Sequence, residues 1–398
     1  MHILGLDMSR AFDTIDRVKL LGILDGISGL TDDDRRLIRV LLANTSLQVE
    51  FNGVLTEPFA SNIGSPQGDG LSPILFAIYL EAAIRELEAR GPQRPDIDIN
   101  LPSKAMYADD TDFISLCAIY LDEIQRTVGP IFGEYNLLVN VEKTERTIID
   151  CNVTDSSAWC KTRKLGSLLG VEQDVDKRIQ LAYQSFKNLE LLWKNRNLVS
   201  ERTRIYSYRV VVESVLLYNC GTWALTRKLA NKLDRCQRSM LRRVVGLHWY
   251  DKVKNESLYK RCNVDPAWIQ VLRARWRLFG HVLRLANDTP AKLAMAYYFK
   301  DAYDSEQNLI KGQPGRPVHT IATALSNEYN AMYNVPITNS AEYEAIEKQA
   351  EDKVVWRDVV KNIVNRQILL RSKPVVDNTQ LRRSKRLAKL SAVVYTDM

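Results

Sequence analysis

The 398-residue sequence predicts an α+β fold, in which a first part of strands and helices precedes a helical region. Up to about residue 172, short apolar runs with strand-like alternation are interleaved with helical patterns. From Asp176 onward, apolar residues recur at steps of three and four, which is typical of amphipathic helices. Charge divides the chain similarly. Residues 1–150 carry 13 basic and 24 acidic side chains, whereas residues 194–284 carry 20 basic and 6 acidic side chains. The second part therefore favours a polyanionic partner such as nucleic acid, although arginine-rich helices also serve solubility.

Composition predicts a globular protein of two or three domains, since 45% of the residues are hydrophobic and 26% are charged. No run of 18 apolar residues occurs, so we expect no membrane segment. The N-terminus lacks the basic-then-apolar pattern of a secretory signal. The six cysteines show no CxxC spacing, and with the histidines they fit no compact zinc pattern. We therefore expect reduced thiols and a location in the nucleus or cytoplasm, without secretion.

The first part predicts strands and helices around loops that are rich in glycine and proline. The patterns predict a strand at 1–7 and helices at 32–44, 74–90 and 121–135. Residues 48–54 alternate like a strand that runs into a Phe51-Asn52-Gly53 turn. Asp7 ends the first strand, where it is either a metal ligand or the cap of the following helix. Residues 61–73, SNIGSPQGDGLSP, form a loop that opens a helix. Such a loop lets the backbone approach a phosphate or a base, although ordinary loop-to-helix junctions have the same composition.

Two adjacent carboxylates, Asp109 and Asp110, lie in the stretch KAMYADDTDFISL. The apolar runs Ala105–Ala108 and Phe113–Leu116 on either side predict two strands, so the acidic pair falls at the turn of a hairpin. Like charges held this close repel each other, and a pair of divalent cations, as used in phosphoryl transfer, relieves the repulsion. The alternative is an Asp-Asp turn that only closes the hairpin.

The second part predicts a helical bundle with basic outer faces. Its apolar stripes cover residues 179–193, 205–215, 229–244 and 272–283. Arginines follow the third and fourth stripes at Arg235, Arg238, Arg242, Arg243, Arg273 and Arg277. Residues 311–317, KGQPGRP, form a linker, and a charged helical stretch covers 341–370. The basic run 381–389, LRRSKRLAK, is typical of a nuclear address or a nucleic-acid-binding tail, and equally of a solvated terminus.

The order of five motifs resembles the successive palm motifs of reverse transcriptases, most of all those of non-LTR (LINE-type) retrotransposons. These motifs are LDMSRAFDTID, GSPQGDGLSPILFAIYL, MYADDTDFI, NLLVNVEKTE and KLGSLLG. In the helical region, SVLLYNCGTWALT and RWRLFGHVLR are similar to the same family, so the resemblance covers roughly residues 1–285. It implies a polymerase-type palm, an antiparallel sheet with flanking helices, at 1–172 and an all-α, basic thumb or connection at 173–300. A linker at 301–320, a helical C-terminal extension at 321–372 and a basic tail at 373–398, expected to be disordered, complete the predicted organisation.

The resemblance implies an RNA-directed DNA polymerase that transfers nucleotides from dNTPs to a primer 3′-OH. Its partners would be an RNA template, a DNA primer and dNTPs, and its cofactor two Mg²⁺ ions, with Mn²⁺ as the alternative. The motifs assign metal binding and catalysis to Asp7, Asp109 and Asp110. Lys143 matches the lysine that protonates the leaving pyrophosphate.

The same resemblance assigns nucleotide and nucleic-acid contacts. Phe12 matches the aromatic gate that rejects a 2′-OH, and Gln67 with Gly68 matches the loop that holds nucleotide and template. The six arginines would grip the template–primer backbone. Leu165–Gly170 matches the primer grip, but Lys164 stands where the family often has an aromatic residue.

One departure from the family concerns the fingers, whose basic residues grip the triphosphate before the palm. No counterpart precedes Asp7, so we expect an N-terminally truncated polymerase that extends primers poorly by itself. Two alternatives remain: a catalytically silent nucleic-acid-binding remnant of such an element, and a helical scaffold that shares only the ancestry.

Overall fold

The computed structural model describes residues 1–43, 45–66, 68–95, 102–149, 158–297, 299, 320–337 and 340–372. The chain divides into two compact units, Met1–Asp174 and Val175–Met398. Within the ranges just given, no helix combines the length and the apolarity needed to cross a bilayer. The predicted position Gln67, residues 301–319 of the predicted linker and the tail 373–398 lie outside the described residues.

The first unit is α+β. Its strands are β1 (His2–Leu6), β2 (Met8–Ser9), β3 (Ser46–Leu47), β4 (Glu50–Phe51), β5 (Val54–Leu55), β6 (Phe59–Ala60), β7 (Lys104–Tyr107), β8 (Asp110–Ser115), β9 (Leu138–Val139), β10 (Glu145–Ile148), β11 (Arg163–Lys164) and β12 (Ser167–Leu168). Its helices are α1 (Arg17–Asp25), α2 (Asp32–Leu42), α3 (Ser72–Arg90) and α4 (Ala118–Gly133), and α5 (Val171–Asn188) continues into the second unit.

The main sheet is antiparallel, with strand order β10-β1-β8-β7. Strand β1 lies inside this order, and four of its five residues are buried. Its Leu4 and Leu6 share one core with apolar side chains of α3 and α4, including Tyr79, Leu80, Leu121 and Phe132. The remaining strands form the two-stranded pairs β2-β9, β3-β6, β4-β5 and β11-β12. A rigid central strand thus ends directly at Asp7.

The region predicted as a strand at 48–54 forms the short strands β4 and β5, and the predicted Phe51-Asn52-Gly53 turn is confirmed between them. Asn52 and Gly53 both have positive φ, so the chain reverses between β4 and β5. Asn-Gly is the pair that a tight two-residue hairpin turn favours, and this turn chemistry overrides the alternating pattern. The predicted hairpin around the Asp pair is confirmed, since β7 and β8 pair across Ala108 and Asp109.

The second unit is helical. Its helices after α5 are α6 (Glu190–Lys194), α7 (Glu201–Ser207), α8 (Ser214–Leu216), α9 (Arg227–Val245), α10 (Asn255–Cys262), α11 (Ala267–Leu283), α12 (Pro290–Ala296), α13 (Ile321–Tyr333), α14 (Ser340–Glu351) and α15 (Lys353–Ser372). A π-helical turn, Tyr208–Glu213, joins α7 to α8. One core packs α11 against α13, α14 and α15 around Trp276, Phe279 and Trp356. The helical stretch predicted at 341–370 is two helices, because Asp352 accepts hydrogen bonds from Val354 and Val355 and so starts α15.

Candidate functional site

Asp7 and Asp110 lie at the same end of two neighbouring strands. Leu6 is paired with Thr111 in the β1–β8 ladder, so one further step of the register places Asp7 opposite Asp110. Directly opposed residues project from the same face of a sheet, and both carboxylates line one cavity of about 480 Å³. Asp109 occupies the turn between β7 and β8 and is not among the residues that line this cavity. The convergence of all three carboxylates on one point therefore stays a prediction.

The β7–β8 turn holds its backbone in a disfavoured conformation. Ala108 has a φ of 53°, a left-handed value that costs an L-residue about 1–2 kcal/mol. Tyr107 and Asp110 pair on either side of the turn, so the reversal is completed within two residues. Strain of this kind is commonly stored where side chains must be aimed at a functional site.

The surroundings of Asp110 are strongly acidic. Partial burial raises the pKa of this carboxyl. Three nearby carboxylates raise the pKa further, in decreasing order Asp109, Asp112 and Asp7. The ammonium group of Lys164 lowers it. Concentrated negative charge of this kind favours a bound cation.

Lys143 reaches the same edge from a different element. It ends the short 3₁₀ helix Val141–Lys143, which Asn140 caps by accepting from the Lys143 backbone N–H. Its ammonium lies 3.2 Å from the Asp7 carboxylate, with two thirds of the side chain exposed. The Asn140 backbone N–H also donates to the Asp7 carbonyl at 2.8 Å. The predicted catalytic lysine and the first aspartate are therefore neighbours, although they are 136 residues apart in sequence.

A second lysine–aspartate pair lies on the cavity wall. Lys164 Nζ is 2.6 Å from Asp112 Oδ1. Gly5 leaves room for the pair, because a Cβ at this position would lie 2.3 Å from the Lys164 Nζ and 2.9 Å from the Asp112 oxygen. Leu165 and Gly166, both with positive φ, form the turn that follows Lys164, and Leu165 lines the cavity. Lys164 is therefore held by an acid in the place where the family often has an aromatic residue.

The donor set of this edge fits divalent metal ions in charge and in atom type. Asp7 and Asp110 offer carboxylate oxygens, which Mg²⁺ prefers, and they face a common cavity. Among the described residues, no three His, Cys, Asp or Glu side chains are close enough together to coordinate one ion. Metal binding would therefore need the carboxylates to draw together and the Lys143 ammonium to move away from Asp7.

Phe12 and the glycine-rich loop form one hydrogen-bonded unit. The Phe12 carbonyl accepts from the Ser65 N–H at 2.8 Å, and the Phe12 ring packs on Phe76, with ring centroids 4.5 Å apart. Gly64 has a φ of 75°, and a Cβ there would lie 2.7 Å from the Asp13 carbonyl. Gly68 has a φ of 93°, a backbone conformation that favours glycine over residues with a side chain. Phe12 is partly buried and does not line the cavity of Asp7 and Asp110.

Arg17 is a structural residue of this region that the sequence patterns did not single out. Its buried guanidinium donates to four backbone carbonyls and one hydroxyl, at 2.6–3.3 Å: Gly64, Leu42, Ser61, Ile63 and Thr45. Burial lowers the pKa of Arg17, which remains a cation because its ordinary value is so high. Its contacts lie 25–47 residues away, so no local motif marks the residue. Arg17 ties the start of α1 to the loop that leads to Gly68.

Four of the six predicted nucleic-acid-binding arginines make contacts within the second unit. Arg242 donates to Asn255 Oδ1 at 2.7 Å, and the Arg273 guanidinium pairs with Asp265 at 2.8 Å. The other two arginines, Arg243 and Arg238, lie near aromatic residues. The Arg243 guanidinium lies 4.7 Å from the ring centroid of Phe186. The charge of Arg238 partly offsets the burial that raises the pKa of Tyr259 to about 12.

Arg235 and Arg277 differ from the other four arginines. Both are exposed, and neither has a hydrogen-bond or ion-pair partner within the described ranges. Their cationic groups are therefore available to an external anion without breaking an internal contact.

Two solved telomerase structures are distantly similar to this chain. Telomerase from Candida albicans, solved with a TWJ fragment of telomeric RNA, is 14% identical with a TM-score of 0.26, over 70% of this chain and 46% of that one. The corresponding telomerase from Candida tropicalis is 11% identical with a TM-score of 0.34, and the match covers 75% of this chain and 49% of that one. TM-scores this low do not establish a shared fold.

Comparison of sequences is more informative. The family described as "Reverse transcriptase (RNA-dependent DNA polymerase)" matches residues 1–184. The "RNA-directed DNA polymerase from mobile element jockey" of Drosophila funebris is 24% identical over 271 residues, which cover 63% of this chain and 29% of the relative. The chain thus spans less than a third of the length of this curated relative. The site of Asp7 and Asp110 lies inside the matched region. Residues 1–184 are thus similar to reverse transcriptases, and the matched curated relative is the polymerase of a mobile element.

Proposed function

We propose that the chain is an RNA-directed DNA polymerase that transfers deoxynucleotides from dNTPs to the 3′-OH of a DNA primer on an RNA template. The observation that carries the proposal is the position of Asp7 and Asp110 across two central strands, on one cavity, in the region that matches the reverse transcriptase family. The family match supports the reaction class, and the acidic edge supports its chemistry. In this proposal the first unit is the polymerase palm and the second contains the thumb.

In the transfer, the primer 3′-oxygen bonds to the α-phosphorus, and the bond from that phosphorus to the β-phosphate oxygen breaks to release pyrophosphate. Asp7, Asp109 and Asp110 would hold two Mg²⁺ ions, or Mn²⁺ in their place. When bound, such ions lower the pKa of the attacking hydroxyl and neutralise charge on the leaving group. Lys143, whose side chain is two thirds exposed beside Asp7, donates a proton to the leaving pyrophosphate. The hydroxyl proton passes to solvent.

In this proposal the loop that Arg17 holds in place leads to Gly68, and Gln67 and Gly68 contact the incoming nucleotide and the template. Phe12 belongs to the same hydrogen-bonded unit, so a shift of the loop would also shift the residue proposed to reject a 2′-OH.

We expect Phe12→Ala to incorporate ribonucleotides, because the ring that would collide with a 2′-OH is removed. Primer extension with ribonucleotides in place of dNTPs measures this. Unchanged discrimination between ribonucleotides and deoxynucleotides in Phe12→Ala would place the gate elsewhere.

The arginines of the second unit supply the proposed grip on the template–primer backbone. Hybrids of RNA and DNA are held mainly through phosphate and sugar contacts, for which guanidinium groups suffice. Arg235 and Arg277 are the best placed of the six, because their side chains are exposed and need not give up an internal partner.

The proposal is tested by single-nucleotide addition to a labelled DNA primer on an RNA template, with Mg²⁺ and the full chain. We expect addition of the nucleotide that the template specifies, dependent on Mg²⁺, even if it is slow. Binding of the hybrid without any addition above a no-metal control would contradict the proposal. That outcome would favour a nucleic-acid-binding remnant without catalysis.

A further inference from the structure

A groove in the second unit brings basic side chains together from two packed helices. Arg273 and Arg277 line it from α11, and Arg357, Lys361 and Asn365 line it from α15. On each helix these residues recur at steps of four, so each set occupies one face. The groove encloses about 220 Å³ and shares no residue with the cavity of Asp7 and Asp110.

The walls of the groove are firmly joined to each other. Trp356 of α15 packs on Trp276 of α11 with ring centroids 5.9 Å apart, and its indole N–H donates to the Trp276 carbonyl at 3.1 Å. Gly280 permits this approach, because a Cβ there would lie 2.0 Å from the Trp356 indole nitrogen. Val360 and Val364, both buried, form the apolar part of the lining. The spacing of the charged rows is therefore set by a packed core.

The charges of the groove are poorly compensated. Arg273 pairs with Asp265, in a contact that leaves about a third of the arginine side chain exposed. Arg277, Arg357 and Lys361 are exposed and have no hydrogen-bond or ion-pair partner in the part of the chain that the structure describes. Asn365 adds a neutral donor at the end of the row. Like charges gathered around one cavity repel each other, and an anion bound between them removes that cost.

We propose that the α11–α15 groove binds the phosphate backbone of a single nucleic-acid strand, as a contact distinct from the catalytic cavity. Guanidinium groups on both walls suit the paired oxygens of a phosphodiester. Four residues of helix rise by about 6 Å, so successive cations on one wall can follow successive phosphates along a strand. A strand fits a concave cleft of this size, whereas the surface of a bilayer does not enter it. The inference rests on the proposed function only for the kind of polyanion, and its test needs no polymerase activity.

The test compares two double variants of the full chain. Arg277→Gln with Lys361→Gln removes two charges from the groove. The matched control, Arg202→Gln with Lys348→Gln, removes two exposed charges from the same unit outside the groove. Binding of a fluorescein-labelled single-stranded RNA is followed by fluorescence anisotropy over a range of salt concentrations, without dNTPs. Asp110→Asn, measured in parallel, should bind as the unchanged chain does, which separates this test from that of catalysis.

We expect the groove variant to bind roughly tenfold more weakly than the control. We also expect the slope of log K against log salt to fall by roughly 1.4, at about 0.7 for each lost phosphate contact on a single strand. Equal affinity and slope in the two variants would overturn the proposal. So would loss of binding to phosphatidylserine vesicles in the groove variant alone, with RNA binding intact, because the groove would then serve a membrane surface.

A second measurement does not depend on substitutions. RNA containing 4-thiouridine is cross-linked to the unchanged chain, and the modified peptides are identified by mass spectrometry. We expect cross-links in the peptides that carry Arg357, Lys361 and Asn365. Cross-links confined to other peptides would contradict the proposal even if the substituted chains were destabilised.

Discussion

Asp110→Asn is expected to lower the rate of RNA-templated primer extension by roughly three orders of magnitude or more, about 4 kcal/mol of transition-state stabilisation. The amide has nearly the shape of the carboxylate, so strand β8 and its pairing with β1 should persist. It lacks the negative charge that Asp110 shares with Asp7 on the cavity, and a divalent ion binds a neutral amide far more weakly. Rates are measured by rapid quench with a labelled primer, and hybrid binding is measured separately by anisotropy.

Asp33→Asn is the matched control for this prediction. Asp33 is an exposed acid in the first turn of α2, and the change alters the net charge by the same amount. The control should extend primers at the unchanged rate. A catalytic role for Asp110 would be contradicted by near-normal extension in Asp110→Asn, or by a loss that follows entirely from weaker hybrid binding.

The second large effect concerns Arg17. Arg17→Met should reduce the free energy of unfolding by roughly 3 kcal/mol or more, because four backbone carbonyls and a hydroxyl lose a charged donor at a buried position. The aliphatic part of Met replaces that of Arg, so the loss reports mainly the hydrogen bonds. The loop that leads to Gly68 would also lose its hydrogen bonds to Arg17, and because this loop is proposed to hold the nucleotide, KM for dNTPs should rise. Urea unfolding and steady-state kinetics measure the two effects.

Arg36→Met provides the comparison for Arg17. Arg36 is exposed on α2, and the same substitution there should change the unfolding free energy by less than about 0.5 kcal/mol. Equal destabilisation by the two substitutions would show that the buried hydrogen bonds of Arg17 contribute little.

Much of the fold follows from patterns that are local in the sequence. The hairpin at Asp109 and Asp110 was predictable because the apolar runs on either side alternate like strands, and the structure pairs them across the expected turn. Apolar stripes at helical spacing likewise predict α9 and α11. The turn at Asn52 and Gly53 was also predictable, because Asn-Gly favours a tight hairpin turn. The boundary at Asp352 was not predicted: this helix cap divides the predicted helical stretch into α14 and α15.

Less of the candidate site was predictable from sequence. The aspartates were found because they belong to motifs in a recognisable order. Asp112 carried a usable signal, since it lies two residues after Asp110 in a strand and so faces the same side. Its partner Lys164 lies 52 residues away, and the pairing depends on the room that Gly5 leaves. Such contacts are set by the tertiary fold, and a single sequence gives no local sign of them.

The arginines illustrate the same limit for electrostatics. Sequence gives the number and the periodicity of the charges, and these predict a basic surface. It does not show that the Arg273 guanidinium pairs with Asp265 or that Arg243 covers the ring of Phe186. Nor does it bring Arg277 close to Arg357 and Lys361, which requires the packing of α15 on α11.

The central claim is that the β1–β8 edge is the metal centre of a polymerase, and metal-directed cleavage tests it most directly. Fe²⁺ takes the place of Mg²⁺ in the full chain, ascorbate and peroxide generate hydroxyl radicals beside the bound ion, and mass spectrometry locates the cuts in the backbone. We expect cleavage near Asp7 and near Asp109–Asp110, which excess Mg²⁺ suppresses and the Asp110→Asn substitution abolishes. Cleavage at other positions only, or cleavage at these positions that neither Mg²⁺ nor the substitution reduces, would contradict this claim.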